Sequence, residues 1–408
     1  MSVSEPSLRA MQAALRKTTE TLAHELASPG DVVPDWSETE WLVARAVAAI
    51  HGVSPLLAER LRWRGPTGWA QFLADQRAHT AKRFVGIQQL LRLIDDRARE
   101  AGIGLIALKG AALHASGVYS VGERPMSDID LLVRDEQSQG AVQLIQALGF
   151  HESHATWKHR VFKPENCATP ANLGEHADNG ITIELHTRIA EILPLRRVDV
   201  SRLIFAQRLY PGLNEYPSKL ALLIHVLLHA SGAIILRDLR MLQLQDIARL
   251  CTRMTDADWA EVFRQGAVTD DPSLWWAYPP LALTAHYHAC VPDWVLARTA
   301  AGCHWLLKRA YRRRTLSDVS LSHLWISAFP GIEWARSLRE MLAYAAERVV
   351  PSAETRYARK VFATVQPRVS GGPWAQMSQS RRMLRWVTSR QARYETVQPV
   401  RAALSDAY

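Results

Sequence analysis

The chain has 408 residues, of which 48% are hydrophobic and 22% charged, a composition that excludes a disordered polymer and predicts two or three folded units. The net charge of +9 is unevenly distributed, because residues 298–408 carry +12 and residues 1–297 carry −3. This asymmetry is compatible with a nucleic-acid surface in the C-terminal region, and also with solvated arginine-rich helices.

Targeting signals and a membrane span are not evident. No apolar run reaches the roughly 18 to 20 residues that a membrane helix needs. The longest run, which starts at Leu220, contains two histidines and a Ser-Gly break, so we expect a buried helix. The first thirty residues carry charges at helical spacing and no apolar signal core, and we expect a cytoplasmic protein. Four cysteines without a CxxC pair are expected to be free thiols: Cys167, Cys251, Cys290 and Cys303.

Helical periodicity dominates the first hundred residues. It occurs in three runs, at 38–50, 53–63 and 69–101. Gly102 follows the third run as a stop signal. A helical N-terminal region is therefore predicted for residues 1–100.

The pattern then changes to short β-like runs that are separated by helical segments such as SQGAVQLIQALGF. The β-like runs are 103–108, 128–133 and 180–186. They predict a mixed helix-and-sheet core over residues 101–215.

Helical patterns return after Pro217, with a glycine-containing loop expected at 366–374 and a basic terminal helix after it. Residues 216–408 are therefore predicted to form a helical, basic C-terminal region. The fold class that we expect is α+β, in which a small mixed-sheet core is flanked by N-terminal and C-terminal helical regions.

Two aspartates stand in the second β-like run. Because strand residues alternate between faces, Asp128 and Asp130 point to one side, and Ile129 and Leu131 point to the other. Adjacent like charges are unfavourable unless a cation bridges them, and oxygen ligands suit a hard ion such as Mg²⁺. The pair predicts a metal site; the alternative is that both aspartates lie on the solvated face of a half-buried strand.

The first β-like run ends at Lys109-Gly110 and turns directly into a helix. At such a turn, free backbone N–H groups can meet a phosphate, and Gly110 would permit its close approach. Lys109 supplies a positive charge for a triphosphate. Arg124, just before the aspartate strand, can form a bidentate contact to another phosphate oxygen. The alternative is an ordinary tight turn.

The third β-like run places Glu184 and His186 on one polar face. If this strand lies near the aspartate strand, Glu184 completes a cluster of three carboxylates and His186 lies within reach of substrate. Two-metal phosphoryl transfer needs such a cluster, because one ion activates the attacking hydroxyl and the other neutralises charge on the leaving pyrophosphate.

These features occur together in a definite order along the chain. The matching positions are Lys109, Gly110, Tyr119, Arg124, Asp128, Asp130, Glu184 and His186. In this order they resemble the uncharacterised nucleotidyltransferase family of the polymerase-β-like superfamily, over roughly residues 40 to 250. The superfamily usually has a Gly-Ser pair where this chain, like its own subfamily, has Lys109-Gly110, so the exact geometry of the phosphate contacts there is not carried over.

The resemblance implies metal-dependent transfer of a nucleoside monophosphate from an NTP to an acceptor, with release of pyrophosphate. It implies Asp128, Asp130 and Glu184 as the catalytic residues and as ligands of Mg²⁺ or Mn²⁺. The nucleotide-binding residues would be Lys109, Gly110, Arg124, Ser127 and His186. The resemblance also suggests that Asp246 approaches the pocket.

The acceptor is not implied, and it can be a small molecule, a peptide or an RNA bound by the C-terminal helices. Members of the family occur beside peptide natural-product and polysaccharide genes and are similar to toxins that nucleotidylate tRNA. Two alternatives therefore stay open: a toxin-like enzyme that acts on tRNA, and a catalytically silent nucleotide-binding partner protein. His225 and His229 have the spacing of a zinc pair, but without a third ligand they are expected to line a core or pocket.

Overall fold

The computed structural model describes residues 6–165, 173–205, 207–266, 273–353, 355–357, 377–388 and 390–405. Cys167 and the loop expected at 366–374 lie outside these residues. The other three cysteines are free thiols, as expected.

Helices form the N-terminal part of the molecule. They are α1 (Leu8–Ala27), α2 (Glu38–Ile50), α3 (Ser54–Arg60) and α4 (Thr67–Glu100). A capping box fixes the start of α2, because the Ser37 side chain accepts from the backbone N–H of Glu40 while the Glu40 carboxylate accepts from that of Ser37. After α4, Gly102 adopts a φ of +69°, a conformation that glycine tolerates and that ends the helix.

A six-stranded mixed sheet follows, with the strand order β3-β4-β5-β2-β1-β8. Its strands are β1 (Gly104–Ala107), β2 (Asp128–Val133), β3 (Phe150–Ala155), β4 (His159–Pro164), β5 (Thr182–His186) and β8 (Gly212–Asn214). The helices α5 (Lys109–Ala115), α6 (Ser138–Ala147) and α7 (Ser201–Ile204) connect strands, and β6 (Ala190–Leu193) and β7 (Arg196–Asp199) form a separate hairpin. The three β-like runs of the sequence are thus strands β1, β2 and β5. The expected α+β fold class is confirmed.

The two faces of β2 have different neighbours. Ile129, Leu131 and Val133 belong to an apolar cluster with α4 and α6, whereas Leu132 belongs to a second cluster that includes helix α8 (Lys219–Leu236). Since strand residues alternate, Asp130 lies on the same face as Leu132. The polar side chains of β2 and β5 therefore lie on the side of the sheet that faces α8.

Helices form most of the C-terminal part. They are α8 (Lys219–Leu236), α9 (Met241–Cys251), α10 (Asp256–Gly266), α11 (Tyr278–Tyr287), α12 (Asp293–Ala301), α13 (Trp305–Tyr311), α14 (Leu316–Val319), α15 (Leu338–Val349), α16 (Gln379–Thr388) and α17 (Tyr394–Ser405). Among the described helices, α8 has the length and hydropathy of a membrane span, but 78% of it is buried inside the fold. It packs as the buried helix that the sequence predicts. The boundaries at 100/101 and 215/216 stay a prediction.

Candidate active site

The register between β2 and β5 brings the predicted carboxylates together. The two strands are parallel neighbours, and Asp130 pairs directly with Glu184 while Asp128 pairs with Thr182. Residues that pair across adjacent strands project to the same face of a sheet. Asp128, Asp130 and Glu184 therefore line one face, which fulfils the condition that the sequence left open.

Asp130 is the most enclosed of the three carboxylates, with 4% of its surface exposed. Its Oδ1 accepts a hydrogen bond from Lys109 Nζ at 2.7 Å, and it lies 3.0 Å from His186 Nε2. Burial alone would raise the pKa of Asp130, but the charge of Lys109 and the hydrogen bond from His186 hold it well below its usual range. Asp130 is thus ionised and fixed in position.

The pKa of Asp128 is shifted in the opposite direction to that of Asp130. Burial and the charges of Asp130 and Glu184 raise the pKa of the half-buried Asp128 to about 6. Three carboxylates that repel one another in this way are the environment that a hard divalent cation stabilises. Three oxygen donors on one face of the sheet match the ligand preference of Mg²⁺ or Mn²⁺; that Asp128, Asp130 and Glu184 bind such an ion stays a prediction.

We expect Asp128 to make the metal-free protein less stable as the pH rises from about 4 to about 6. The folded state holds the proton of Asp128 more tightly than the unfolded chain does, because its pKa is raised from 3.8 to about 6. Ionisation above this range therefore costs folding free energy. In chelator, Asp128→Asn should be more stable than the wild type by about 1–2 kcal/mol at pH 7. Urea denaturation at pH 4 should show no such gain; an equal gain at both pH values would contradict this account.

Lys109 adopts an unusual backbone conformation at the turn between β1 and α5. Its φ of +44° lies in the left-handed region, which costs a residue with a Cβ roughly 1–2 kcal/mol. On its N-terminal side, the N–H of Leu108 donates to the carbonyl of Asp130 at 2.9 Å, which ties the turn to β2. Strain of this kind persists where surrounding structure enforces it, and such residues cluster at functional sites.

Gly110 lies where other side chains approach the turn. A Cβ at this position would lie 2.5 Å from Arg124 Nη1 and 2.6 Å from Met126 Sδ. The close approach that Gly110 permits in this structure is therefore that of Arg124 and Met126. Its predicted contact with phosphate stays a prediction.

Arg124 forms a bidentate ion pair with Asp246 of α9. Its Nε lies 2.9 Å from Oδ1 and its Nη2 lies 2.8 Å from Oδ2, and the hydroxyl of Tyr119 also donates to Oδ1 at 2.8 Å. Asp246 thus reaches the loop before β2; its expected approach to the nucleotide pocket stays a prediction. A phosphate at Arg124 would compete with Asp246 for the guanidinium.

Ser127 completes the set of predicted nucleotide-binding residues. Its side chain is exposed at the start of β2, and its carbonyl accepts from Arg83 Nη2 at 3.0 Å. Ser127 thus lies directly before Asp128 in the chain, and its contact with nucleotide stays a prediction.

Arg83 of α4 organises the approach to both carboxylate strands, and the sequence patterns did not reveal it. This side chain is buried, with 4% of the residue exposed, and its guanidinium donates to four backbone carbonyls, two just before β2 and two just before β5. The acceptors are Met126 at 2.9 Å, Ser127 and Gly180 at 3.0 Å, and Asn179. The Arg83 guanidinium therefore connects the loop before β2, which carries the aspartates, with the loop before β5, which carries the glutamate.

A small pocket of about 20 Å³, room for roughly one water molecule, adjoins the carboxylate face. Its wall includes Lys109 and His186, both of which contact Asp130, together with residues from the β3–β4 turn, the segment after β5, β6 and α8. These further residues are Lys158, Arg188, Ile189, Ala190, Glu191, His225, Leu228 and His229. The expectation that His225 and His229 line a core or pocket is confirmed.

The polar residues of this pocket are organised around Glu191. Lys158 Nζ lies 2.8 Å from its carboxylate, and His229 Nδ1 lies at 3.8 Å. Burial alone would raise the pKa of Glu191, but the nearby His229 and the charge of Lys158 lower it to about 2. The buried His225 instead lies 2.5 Å from the hydroxyl of Tyr216 through its Nδ1.

A mixed sheet with three carboxylates on one face, beside a strand–lysine–helix turn, defines a nucleotidyltransferase core. The family model described as uncharacterised nucleotidyltransferase matches residues 37–270, more than half of the chain, and the chain belongs to that family. No curated protein and no solved structure matches it significantly.

Proposed function

We propose that the protein transfers a nucleoside monophosphate from an NTP to an acceptor. An acceptor hydroxyl, amine or phosphate bonds to the α-phosphorus, the bond to the β-phosphate breaks, and pyrophosphate leaves with the electron pair. A proton bound to the attacking atom passes to solvent. The observation that carries this proposal is the side-by-side placement of Asp130 and Glu184 on parallel strands, with Asp128 on the same face.

In this proposal, Asp128, Asp130 and Glu184 hold Mg²⁺ or Mn²⁺. When bound, the ion supplies positive charge to the phosphates and to the attacking atom. Lys109 fixes Asp130 through its ammonium group and presents positive charge to the triphosphate.

The remaining predicted residues lie around this centre. We propose that His186 holds Asp130 in position from the β5 side, and that Gly110, Arg124 and Ser127 lie along the nucleotide. Arg124 would exchange part of its pairing with Asp246 for a phosphate. Positioning and electrostatics of this kind account for most of the catalysis in phosphoryl transfer.

We propose that the opening of the small pocket beside Lys109 and His186 binds one charged group of the acceptor, the rest of which lies outside the pocket. Its wall carries three cationic side chains, Lys109, Lys158 and Arg188, and one carboxylate, Glu191. Arg188 forms no ion pair with any residue that the structure describes, whereas Lys158 is held by Glu191. This excess of cationic side chains in the pocket wall favours an acceptor with an anionic group, such as a carboxylate or a phosphate.

Arg188→Ala should weaken the use of acceptor and leave nucleotide binding nearly unchanged. Hydrogen bonds to charged groups contribute roughly 1.5–3 kcal/mol, so labelling at limiting acceptor should fall about 10-fold to 100-fold. The exposed Arg208→Ala serves as a control outside the pocket. An equal loss of NTP affinity in Arg188→Ala would assign Arg188 to the nucleotide site.

The test of the proposed function is incubation of the purified protein with Mg²⁺ and each α-labelled NTP, with and without cell extract. Protein, RNA, peptide and small-molecule fractions are then separated. Label that enters one fraction, and is lost with Asp128→Asn/Asp130→Asn, supports the transferase and identifies its acceptor class. Measurable nucleotide binding without transfer of any label supports the silent partner protein.

The positive charge of the C-terminal region is the reason to test the tRNA-modifying alternative in the same experiment. Residues 298–408 carry +12, and a polyanion bound there would be released steeply by salt. Label in the RNA fraction, with binding that weakens strongly between low and moderate salt, favours this alternative. A cytoplasmic location, where NTPs and tRNA are available, is part of both proposals.

A further inference from the structure

A second set of potential ligands lies on the β4 side of the carboxylates. Strands β4 and β5 are antiparallel, and His159 pairs directly with His186 across them. Glu184 lies two residues before His186, on the same face of β5. One donor atom from each of His159, Glu184 and His186 lies within 4.8 Å of the other two.

We propose that His159, Glu184 and His186 form a binding site for a borderline divalent transition metal such as Zn²⁺ or Co²⁺. Two imidazoles and one carboxylate are donors that these ions prefer, whereas Mg²⁺ prefers oxygen ligands alone. Three protein ligands leave a coordination position open for water or substrate. The site extends the proposed function, since Glu184 belongs to both ligand sets, but metal binding to it does not require nucleotidyl transfer.

The spacing of the donor atoms fits such an ion. Two ligands bound tetrahedrally at about 2.0–2.2 Å lie roughly 3.3–3.6 Å apart. Glu184 Oε2 lies 3.5 Å from His186 Nε2 and 3.8 Å from His159 Nδ1. Both separations that involve Glu184 are thus within a few tenths of an ångström of the tetrahedral values, and the two histidine donors lie within 4.8 Å of each other.

An unsatisfied nitrogen independently points to a ligand. His159 Nδ1 is buried and has no hydrogen-bond partner in the structure, and Glu184 is the carboxylate nearest to it. Buried polar atoms are nearly always satisfied, so an orphan of this kind calls for an explanation. A metal ion between His159 and Glu184 would satisfy it.

Binding has a cost that the structure defines. His186 Nε2 contacts Asp130 Oδ1 at 3.0 Å, and to bind an ion through this nitrogen it must release its proton to solvent and give up that contact. Asp130 retains its ion pair with Lys109 at 2.7 Å. Occupancy of the histidine site would therefore loosen one of the two side chains that hold the catalytic aspartate.

The experiment is a titration of the chelator-treated full chain with Co²⁺ and then Zn²⁺, without nucleotide, followed by visible absorption and by calorimetry. We expect one Co²⁺ to bind per chain, with the absorption spectrum of a site that contains nitrogen ligands. Zn²⁺ should displace this Co²⁺, and excess Mg²⁺ should not. His159→Ala should weaken binding at least about 10-fold, whereas His151→Ala, an exposed histidine on the neighbouring strand, should leave it unchanged.

Two further variants make the assignment specific. Glu184→Gln should weaken Co²⁺ binding, and Asp128→Asn should preserve it, with circular dichroism confirming that each variant is folded. Wild-type protein that binds Co²⁺ no more tightly than Mg²⁺, or folded His159→Ala that binds Co²⁺ as tightly as wild type, would overturn the proposal. Co²⁺ binding without transfer of any labelled NTP would leave this site standing and remove the proposed function.

Discussion

Asp128→Asn should reduce nucleotidyl transfer by about 1,000-fold or more while the protein stays folded. Metal-assisted charge stabilisation contributes several kcal/mol, and each 1.36 kcal/mol is tenfold in rate. Burial and the charges of two neighbouring carboxylates raise the pKa of Asp128 to about 6, so the neutral amide removes a metal ligand and also relieves repulsion. The rate of label transfer at saturating NTP and Mg²⁺ measures the effect.

A matched control separates the loss of a ligand from the loss of a surface charge. Asp135 is exposed just after the same strand, and Asp135→Asn should transfer label at the wild-type rate. If Asp128→Asn and Asp135→Asn were both active, the carboxylate cluster would not be the catalytic centre. The family assignment would then describe a fold without this chemistry.

Arg83→Ala should destabilise the protein by about 3–5 kcal/mol. The guanidinium is buried and donates to four carbonyls in the two loops that lead into β2 and β5. Truncation of a buried, fully hydrogen-bonded charge leaves its partners unsatisfied and typically costs this amount. Urea denaturation measures the free energy of unfolding.

Two companion variants test the cause of this loss. Arg83→Lys keeps the charge, but one ammonium cannot match the planar fork of the guanidinium, so it should recover only part of the stability. The exposed Arg92→Ala, on the same helix, should change stability by less than about 0.5 kcal/mol. Full stability in Arg83→Ala would show that other contacts hold the two loops.

The sequence predicted those parts of the site that depend on local alternation. Asp128 and Asp130 lie on one face of β2 because a strand has a period of two residues, and this period is visible in DIDLLV. The helices α2 and α4 were predictable for a similar reason, since their apolar residues recur at helical spacing.

Contacts between distant segments were not predictable in this way. The register that sets Asp130 beside Glu184, and His159 opposite His186, depends on pairing between strands, which a single sequence does not encode locally. The hairpin of β3 and β4 escaped prediction because FHESHA and HRVFKP are half-buried and rich in polar residues. Arg83 looks like any other charge on an amphipathic helix until its four acceptors are known.

The apolar core has a consequence for how this protein can diversify. A single cluster of buried side chains extends from Met11 in α1 to Ala403 in α17, so the helices at the two ends of the chain are parts of one packing arrangement. A recombination event that exchanged only the C-terminal helices would leave α1 and α2 facing surfaces that they do not fit. If the pocket binds the acceptor as proposed, new acceptor preferences are therefore expected to arise by substitutions in it, one residue at a time, rather than by the exchange of whole segments.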